Sequence, residues 1–272
     1  MASAADLADD IALLKSAVRD AGDLAHNFFK GHTETWEKNP GDPVTEADLA
    51  VDALLKERLC DARPDYGWLS EETVDDKIRL DRKRTWIVDP IDGTRAFVQR
   101  KPEYTVCAAL VEDGDPILGA VLNPETDDFW FAEIGRGSTL NETPMSLADV
   151  PDLKDARLLS SAGMLKREGT MPLPKTQFHF HNSIAFRMVL VAQGRYDATV
   201  SNRPKCDWDI AAAHLIAAEA GYEVTTPDGQ GFKYNRPEVR HTGVVVAGNT
   251  LHAQIMERLE GVELSLDHKP GT

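Results

Sequence analysis

Cysteine is scarce in this 272-residue chain, and the three present, Cys60, Cys107 and Cys206, are odd in number and far apart. That supports neither a disulfide framework nor a zinc site. Cys107 sits in an apolar run and reads as a buried thiol. Long apolar runs are missing too. No stretch approaches the roughly 20 apolar residues a membrane span needs. The acidic, alanine-rich start, residues 1–10, lacks the basic segment and apolar run of a secretory signal. A soluble, cytoplasmic protein is expected. Positive charge is in deficit: 30 Lys and Arg stand against 45 Asp and Glu, a formal charge of −15. Such a surface repels polyanions and disfavours long nucleic acid. It does not exclude a small phosphorylated ligand, because bound cations invert the local field. Repeats and low-complexity tracts are absent. The eight histidines show no ligand spacing, and His179-Phe180-His181 reads as strand or loop rather than a metal site.

What is there is ample apolar material, 42% of the chain, enough for a substantial core. The length fits one large domain or two packed subdomains. Residues 5–30 have the helical spacing of Leu7, Ile11, Leu14, Val18, Leu24 and Phe28. Residues 31–43 read as a polar loop. Thr45-Glu46-Ala47-Asp48 has the pattern of a capping box, with Asp in place of Glu, and predicts a second helix. Short strand-like runs follow at 66–70 and 85–89, both leading into acidic residues. Residues 104–111 and 116–122 read as a hairpin through Glu112-Asp113-Gly114-Asp115, with a further strand at 128–132. Residues 135–155 are loop-rich, and a boundary there divides the chain into 1–145 and 146–272. The second part alternates: strands at 158–161, 198–200, 222–225 and 244–247, helices at 183–194, 209–221 and 249–259. A mixed α/β or α+β architecture follows.

The chemistry concentrates in Trp86-Ile87-Val88-Asp89-Pro90-Ile91-Asp92-Gly93-Thr94. An apolar strand delivers Asp89, and Pro90, without an N–H, is expected to stop the ladder. A tight turn then aims Asp89 and Asp92 at one point. Gly93 permits close backbone approach, and Thr94 opens a helix whose free N–H groups suit a phosphate. Taken alone, the segment also fits a plain strand–turn–helix junction with Asp92 as a cap. Three further acidic positions argue for more. Glu71 and Glu72 close a strand on which neighbours point to opposite faces, which leaves one of them free to reach a metal while the other supports it or meets solvent; taken alone, the pair fits a solvated loop start better. Asp48 fits a plain helix cap and a catalytic carboxylate equally well, since a capped helix end holds a carboxylate rigidly. Asp209 begins an alanine-rich helix, where an acid also complements the dipole.

Together these segments resemble the inositol monophosphatase-like superfamily of lithium-sensitive, magnesium-dependent phosphatases. Gly41-Asp42-Pro43-Val44-Thr45-Glu46-Ala47-Asp48 is similar to its N-terminal motif, Ser70-Glu71-Glu72-Thr73 to its acidic pair, residues 86–94 to its central motif, and Trp208-Asp209-Ile210-Ala211-Ala212 to its C-terminal motif. The resemblance implies an α+β fold, a layered α/β/α/β/α sandwich, with the site between the halves, and a homodimer. It implies two or three magnesium ions. Glu71, Asp89 and the carbonyl of Ile91 would hold one, and Asp89, Asp92 and Asp209 a second. Glu71 would touch a weaker third through water. Two ions about 3.5–4 Å apart stabilise the attacking and leaving oxygens of an in-line displacement. The nucleophile it implies is a metal-bound water positioned by Glu71 and Thr94, with Asp48 hydrogen-bonded to Thr94 and Glu72 supporting from behind. The N–H groups of Gly93 and Thr94 would grip phosphate, and no phosphoenzyme is expected.

The substrate, a small phosphorylated metabolite, is less sharply marked. The resemblance implies an acidic residue seven positions before Asp209 in true inositol monophosphatases, and Asn202 stands there. Residues 94–106 are similar to 3′(2′),5′-bisphosphate nucleotidases, and Arg100, Lys101, Arg203 and Lys205 are suited to a second phosphate. They are equally suited to be surface charge. Ser183 and Arg187 are expected beside the substrate. A bisphosphate nucleotidase is the favoured expectation, with inositol 1-phosphate, histidinol phosphate and fructose 1,6-bisphosphate as alternative substrates. A reading of another class, a non-catalytic scaffold that binds RNA or RNA polymerase, is disfavoured because every expected ligand is present.

Overall fold

Two long helices and a hairpin open the chain. The structure, a computed structural model, describes residues 4–148, 150, 152–160, 165, 173–262, 264 and 266. Residues 1–3 of the acidic start, and Ser161 at the expected end of a strand, lie outside the described residues. Helix α1 (Ala4–Lys30) is followed by strands β1 (Thr35–Asn39) and β2 (Asp42–Thr45) and helix α2 (Glu46–Ala62). The loop expected over 31–43 is therefore wrong. It is an antiparallel hairpin that pairs Trp36 with Val44 and turns at Gly41, φ 76°. Its polar sequence carries none of the alternation that announces a strand. Thr45 caps α2 as expected, its side chain accepting from Asp48 N–H while Asp48 turns back on the Thr45 N–H.

The next strands form one seven-stranded sheet in sequence order: β3 (Gly67–Ser70), β4 (Arg84–Asp92), β5 (Thr105–Glu112), β6 (Asp115–Asn123), β7 (Asp128–Glu133), β8 (Gly137–Leu140) and β9 (Thr143–Pro144). Only β3 and β4 run parallel. A short helix, α3 (Thr94–Val98), follows β4. Period-two alternation sorts the sheet's side chains. Trp86, Val88, Val106, Ala108 and Leu110 meet Leu14, Val18, Val51 and Leu55 of α1 and α2. Ile87, Cys107, Ala109 and Val121 face the opposite way. The expectation that Pro90 ends the ladder is also corrected. Asp89 pairs with Cys107 and Asp92 with Thr105, so the strand continues through a bulge that absorbs the proline.

The second part contributes β10 (Arg157–Leu159), β11 (Gln177–His179), α4 (Ile184–Ala192), β12 (Ala198–Ser201), β13 (Lys205–Cys206), α5 (Asp207–Glu219), β14 (Glu223–Thr225), β15 (Arg240–His241), β16 (Val244–Ala247) and α6 (Asn249–Leu259). A five-stranded sheet has the order β11-β10-β12-β16-β14, and β13 pairs with β15. Helices α4 and α5 fill the space between the two sheets: Met188, Val189, Ile210 and Ile216 share a core with Ile87 and Val121 on one side and Val244 and Val246 on the other. Leu251, Ile255 and Leu259 of α6 cover the outer face, against Leu158, Ala198, Val200 and Val245. The layers run α/β/α/β/α, and the fold is the α+β sandwich expected. Small residues let α5 lie close on the first sheet: a Cβ on Gly119 of β6 would come within 2.6 Å of the Ala212 carbonyl oxygen. Among the described residues no helix is long and apolar enough to cross a membrane.

Candidate active site

The end of β4 is where the layers leave polar groups inside. Asp89 is 1% exposed, and its Oδ1 accepts the Ile91 N–H at 3.1 Å across the bulge. Asp92 points at the start of α4. Its Oδ2 accepts the Ser183 hydroxyl at 2.5 Å and the Ala185 N–H at 2.6 Å, and its Oδ1 faces the Ile184 N–H at 3.4 Å. Gly93 then needs its missing side chain twice over. Its φ is 101°, and a Cβ would sit 3.0 Å from both the Glu103 carbonyl and the Ser183 Cβ.

Two aspartates arrive from helix starts, each at the third helical position. In α2, Asp48 Oδ2 accepts the Thr45 N–H at 2.8 Å and the Thr45 hydroxyl at 2.5 Å, while Oδ1 accepts the Thr94 hydroxyl at 3.0 Å. That hydroxyl also lies 3.2 Å from the Ile91 carbonyl oxygen. In α5, which begins two residues earlier than its expected start, Asp209 Oδ2 accepts the Cys206 N–H at 2.7 Å. Reciprocal capping fixes both carboxylates to rigid helix ends.

Glu71 and Glu72 follow β3 rather than ending it, so they do not divide between two faces. Both meet Lys38 of β1, whose Nζ lies 2.5 Å from Glu72 Oε1 and 3.4 Å from Glu71 Oε1. Glu71 keeps 28% of its side chain exposed and Glu72 only 4%, so Glu71 is the one open to solvent. Asp52 ties down both flanks of the pair, accepting from the Ser70 hydroxyl and, at 2.6 Å, from the Thr73 hydroxyl. Lys38 and Asp52 join the acidic pair only through the fold. Nothing in the spacing distinguishes Lys38. Asp52 had a signal: it lies four residues from Asp48 and so shares its helix face.

The electrostatics bind these groups into one cluster. Partial burial and the charges of Asp209, Glu72 and Asp48 push Glu71 up to about 8, against the pull of Lys38. Burial, then the charges of Glu71, Asp92 and Asp209, hold Asp89 well above the usual carboxylate range. Burial and Asp209 push Asp92 up to about 6, despite its bonds from Ser183 and Ala185. Burial likewise raises Asp48, Glu72 and Asp209. Lys205 opposes the rise at both Asp92 and Asp209.

The expected substrate residues separate. Ser183 is fully buried, and its hydroxyl is spent on Asp92 and on capping Phe186 of α4, which turns it into a support for Asp92 rather than a substrate contact. Arg100 reaches back to the Phe28 and Gly31 carbonyls and is committed to the end of α1. Arg187 lies against the His181 carbonyl at 2.5 Å and beneath the Phe180 ring at 4.3 Å. Burial, together with the neighbouring charge of Arg203, lowers Arg187 to about 10, while Asp92 pulls the other way. The charges of Arg187 and Lys205 are thus felt at Asp92, and that of Arg203 at Arg187.

A model of the inositol monophosphatase family matches residues 6–263. The chain belongs to that family. The Caulobacter vibrioides inositol-1-monophosphatase is 31% identical over 261 residues, 91% of this chain and 99% of that protein. The 3′(2′),5′-bisphosphate nucleotidase CysQ of Salmonella typhimurium is 32% identical over 225 residues, 81% of this chain and 92% of that one. The extragenic suppressor protein suhB of Bartonella henselae shares the fold, with a TM-score of 0.81 at 23% identity over 94% of this chain and all of that one. Among the described residues, no group of three or more His, Cys, Asp or Glu side chains is arranged to hold a metal ion as the side chains stand. Each carboxylate is turned onto a donor within the chain, Glu71 and Glu72 sharing Lys38. The family's cation nonetheless suits the donors: all are oxygens, as magnesium requires, and mutual repulsion among Glu71, Asp89, Asp92 and Asp209 is the condition a divalent cation relieves.

Proposed function

We propose that this phosphoric monoester hydrolase is a magnesium-dependent phosphatase whose substrate carries a second anionic group, as a 3′(2′),5′-bisphosphate nucleotide does. The observation that carries the reading is the gathering of carboxylates from four parts of the chain, at Asp48, Glu71, Asp89 with Asp92, and Asp209, with too few cations to balance them. Glu71, Asp89, Asp92, Asp209 and the Ile91 carbonyl would hold the ions. Magnesium, when bound, would supply positive charge to the phosphate oxygens and ease the deprotonation of water.

The chain's own groups do the rest. With its proton directed to Asp48 at 3.0 Å, the Thr94 hydroxyl oxygen is left as an acceptor and orients the attacking water. Glu71, open to solvent, accepts a proton from that water. The N–H groups of Gly93 and Thr94 precede the first intrahelical bond of α3 and take phosphate oxygens. Glu72, nearly enclosed and joined to Lys38, holds that lysine beside Glu71. Arg187, Arg203 and Lys205 favour a doubly charged substrate over inositol 1-phosphate, and Asn202 leaves the acidic contact for sugar hydroxyls unfilled.

Phosphate release from adenosine 3′,5′-bisphosphate, inositol 1-phosphate, histidinol phosphate and fructose 1,6-bisphosphate, each with and without magnesium, tests this. A preference of about tenfold for the nucleotide, worth some 1.4 kcal/mol in transition-state binding, is expected. Equal rates, or a preference for inositol 1-phosphate, would remove the second-anion reading. Turnover in oxygen-18 water is expected to label the released phosphate directly.

A further inference from the structure

The side of the site that carries Glu71 and Asp89 is joined to the side that carries Asp209 by a link anchored on two buried side chains, Arg79 and Asp207, with no part in the chemistry above. Arg79 lies on a 3-10 turn, Ile78–Asp81, between the acidic pair and β4, and is 1% exposed. Its guanidinium is bonded on every edge. Asp75 accepts from Nε at 3.0 Å and from Nη2 at 2.8 Å, Asn235 Oδ1 accepts from Nη1 at 2.8 Å, and the Arg236 carbonyl accepts from Nη2 at 3.1 Å. Asn235 reciprocates through Nδ2, 3.3 Å from the Arg79 carbonyl. The main-chain N–H of Asn235 donates to Asp207 Oδ2 at 2.8 Å. The other Asp207 oxygen lies 2.7 Å from His241 Nε2. Asp207 is fully enclosed and opens α5, two residues before Asp209. Asn235 holds φ 55°, a left-handed conformation that asparagine tolerates better than most residues. A second tie runs beside the first, from Lys77 Nζ to the Pro237 carbonyl at 3.1 Å.

We infer that Arg79, Asn235 and Asp207 form a strut of positioning residues that sets how far Asp209 stands from the Glu71 and Asp89 side of the site. The inference rests on the reading of those carboxylates as magnesium ligands. The contacts that join the two sides here run through the enclosed Arg79 and Asp207 and the half-buried Asn235, each bonded to more than one partner, so they have one arrangement rather than many. An ion that must touch ligands on both sides depends on that arrangement, whereas bonds within either side do not. None of the three residues contacts a proposed ligand atom, so their effect falls on the assembly of the cation site and not on the bond-breaking step.

The test uses Mn²⁺ as probe, its binding followed by the electron paramagnetic resonance of the free ion, alongside hydrolysis at varied magnesium. Asn235→Gly removes the amide and keeps the left-handed backbone. It is expected to weaken Mn²⁺ binding by about tenfold, as loss of a group that orients a ligand does. The magnesium concentration for half-maximal rate rises in step, and kcat at saturating magnesium stays within about twofold. Arg79→Lys behaves alike, and the double variant is no worse than the worse single one, because both cut the same link. Asp10→Asn, in an unrelated buried ion network, is the control for general destabilisation. Mn²⁺ binding unchanged in Asn235→Gly, or weakened equally in Asp10→Asn, overturns the strut. Retained binding in Asn235→Gly with binding lost in Asp89→Asn sinks the strut alone. Undiminished binding in Asp89→Asn removes the ligand reading, and the strut falls with it.

Discussion

Two clusters of buried acids in this protein have been treated in opposite ways. Near the start of α1, Asp10 is fully enclosed, yet Arg63 Nε stands 2.6 Å away, Arg84 Nη1 2.9 Å and the Tyr66 hydroxyl 2.9 Å. Glu112 joins the same group through Arg84 Nε at 2.8 Å, with Lys83 at 3.5 Å, and the Arg84 hydrogen bond draws its carboxyl below the usual range. There the cations match the acids. At the end of β4, Asp48, Glu71, Glu72, Asp89, Asp92 and Asp209 face chiefly Lys38 and Lys205, and every one of the six is raised. The first cluster has finished its electrostatics within the chain. The second has left them incomplete, and what completes them is to be sought outside it. Perturbed acids gathered at one point are the mark of a functional site.

The comparison breaks most sharply on Asp89→Asn against Asp10→Asn. Losing Asp89 is expected to cut hydrolysis by at least about a hundredfold, the lower range for removing one electrostatic stabiliser at a reacting centre. In the chelator-treated protein the same change is expected to raise the melting temperature at pH 8, because it removes a carboxyl whose ionisation burial and its neighbours oppose. Asp10→Asn should do the reverse, costing about 3 kcal/mol for breaking a buried pair with hydrolysis unchanged. Melting curves and rates on the two variants check both signs. If Asp89→Asn destabilises the chelated protein as Asp10→Asn does, the two clusters do not differ in the way argued.

The acids themselves were legible in the sequence because their signals are local. Asp89 and Asp92 sit in one nonapeptide, and Thr45 with Asp48 spells a capping box over four residues. What was not legible depends on pairing across the fold. Lys38 becomes visible only once a polar hairpin is known to lie over the acidic pair. Pro90 looked like a stop because a bulge, which excuses a proline from the ladder, has no mark of its own in the sequence. Ser183 looked like a substrate contact because its distance to Asp92 is a property of layers, not of spacing. Asn235 and Arg79 lie 156 residues apart, and no periodicity connects them.

A smaller effect separates the clusters by pH. A carboxyl whose folded pKa lies above its unfolded value binds its proton more tightly when folded. Its contribution to stability is fullest below the unfolded value and is lost as pH rises through the folded one. Glu71 moves from 4.5 to about 8 and Asp92 from 3.8 to about 6, so the chelated protein is expected to lose stability steadily between pH 4 and pH 8. Glu112, drawn down, works in the opposite direction below pH 4.5. Magnesium should raise the melting temperature more at pH 8 than at pH 5.5, because ion binding no longer has to expel protons. A flat melting profile in chelator from pH 5 to 8 would remove the electrostatic account.

The smallest expected effect sharpens the comparison at the one cation the β1–β2 hairpin lends to the site. Lys38 is bonded to Glu72 and stands 3.4 Å from Glu71, in a setting where 28% of the lysine side chain meets solvent. An ammonium there partly balances the acids, and its contact with Glu71, where both side chains are 28% exposed, is worth under about 1 kcal/mol. An arriving divalent ion competes with it for Glu71. Lys38→Met is therefore expected to lower the melting temperature of the chelated protein slightly and to tighten Mn²⁺ binding by about threefold, in keeping with that small value. The matching change in the balanced cluster, Arg84→Met, strips two acids of their partner and should destabilise strongly with no gain in ion binding. Weaker Mn²⁺ binding in Lys38→Met would mean that the lysine organises the acidic pair for the ion instead of holding its place.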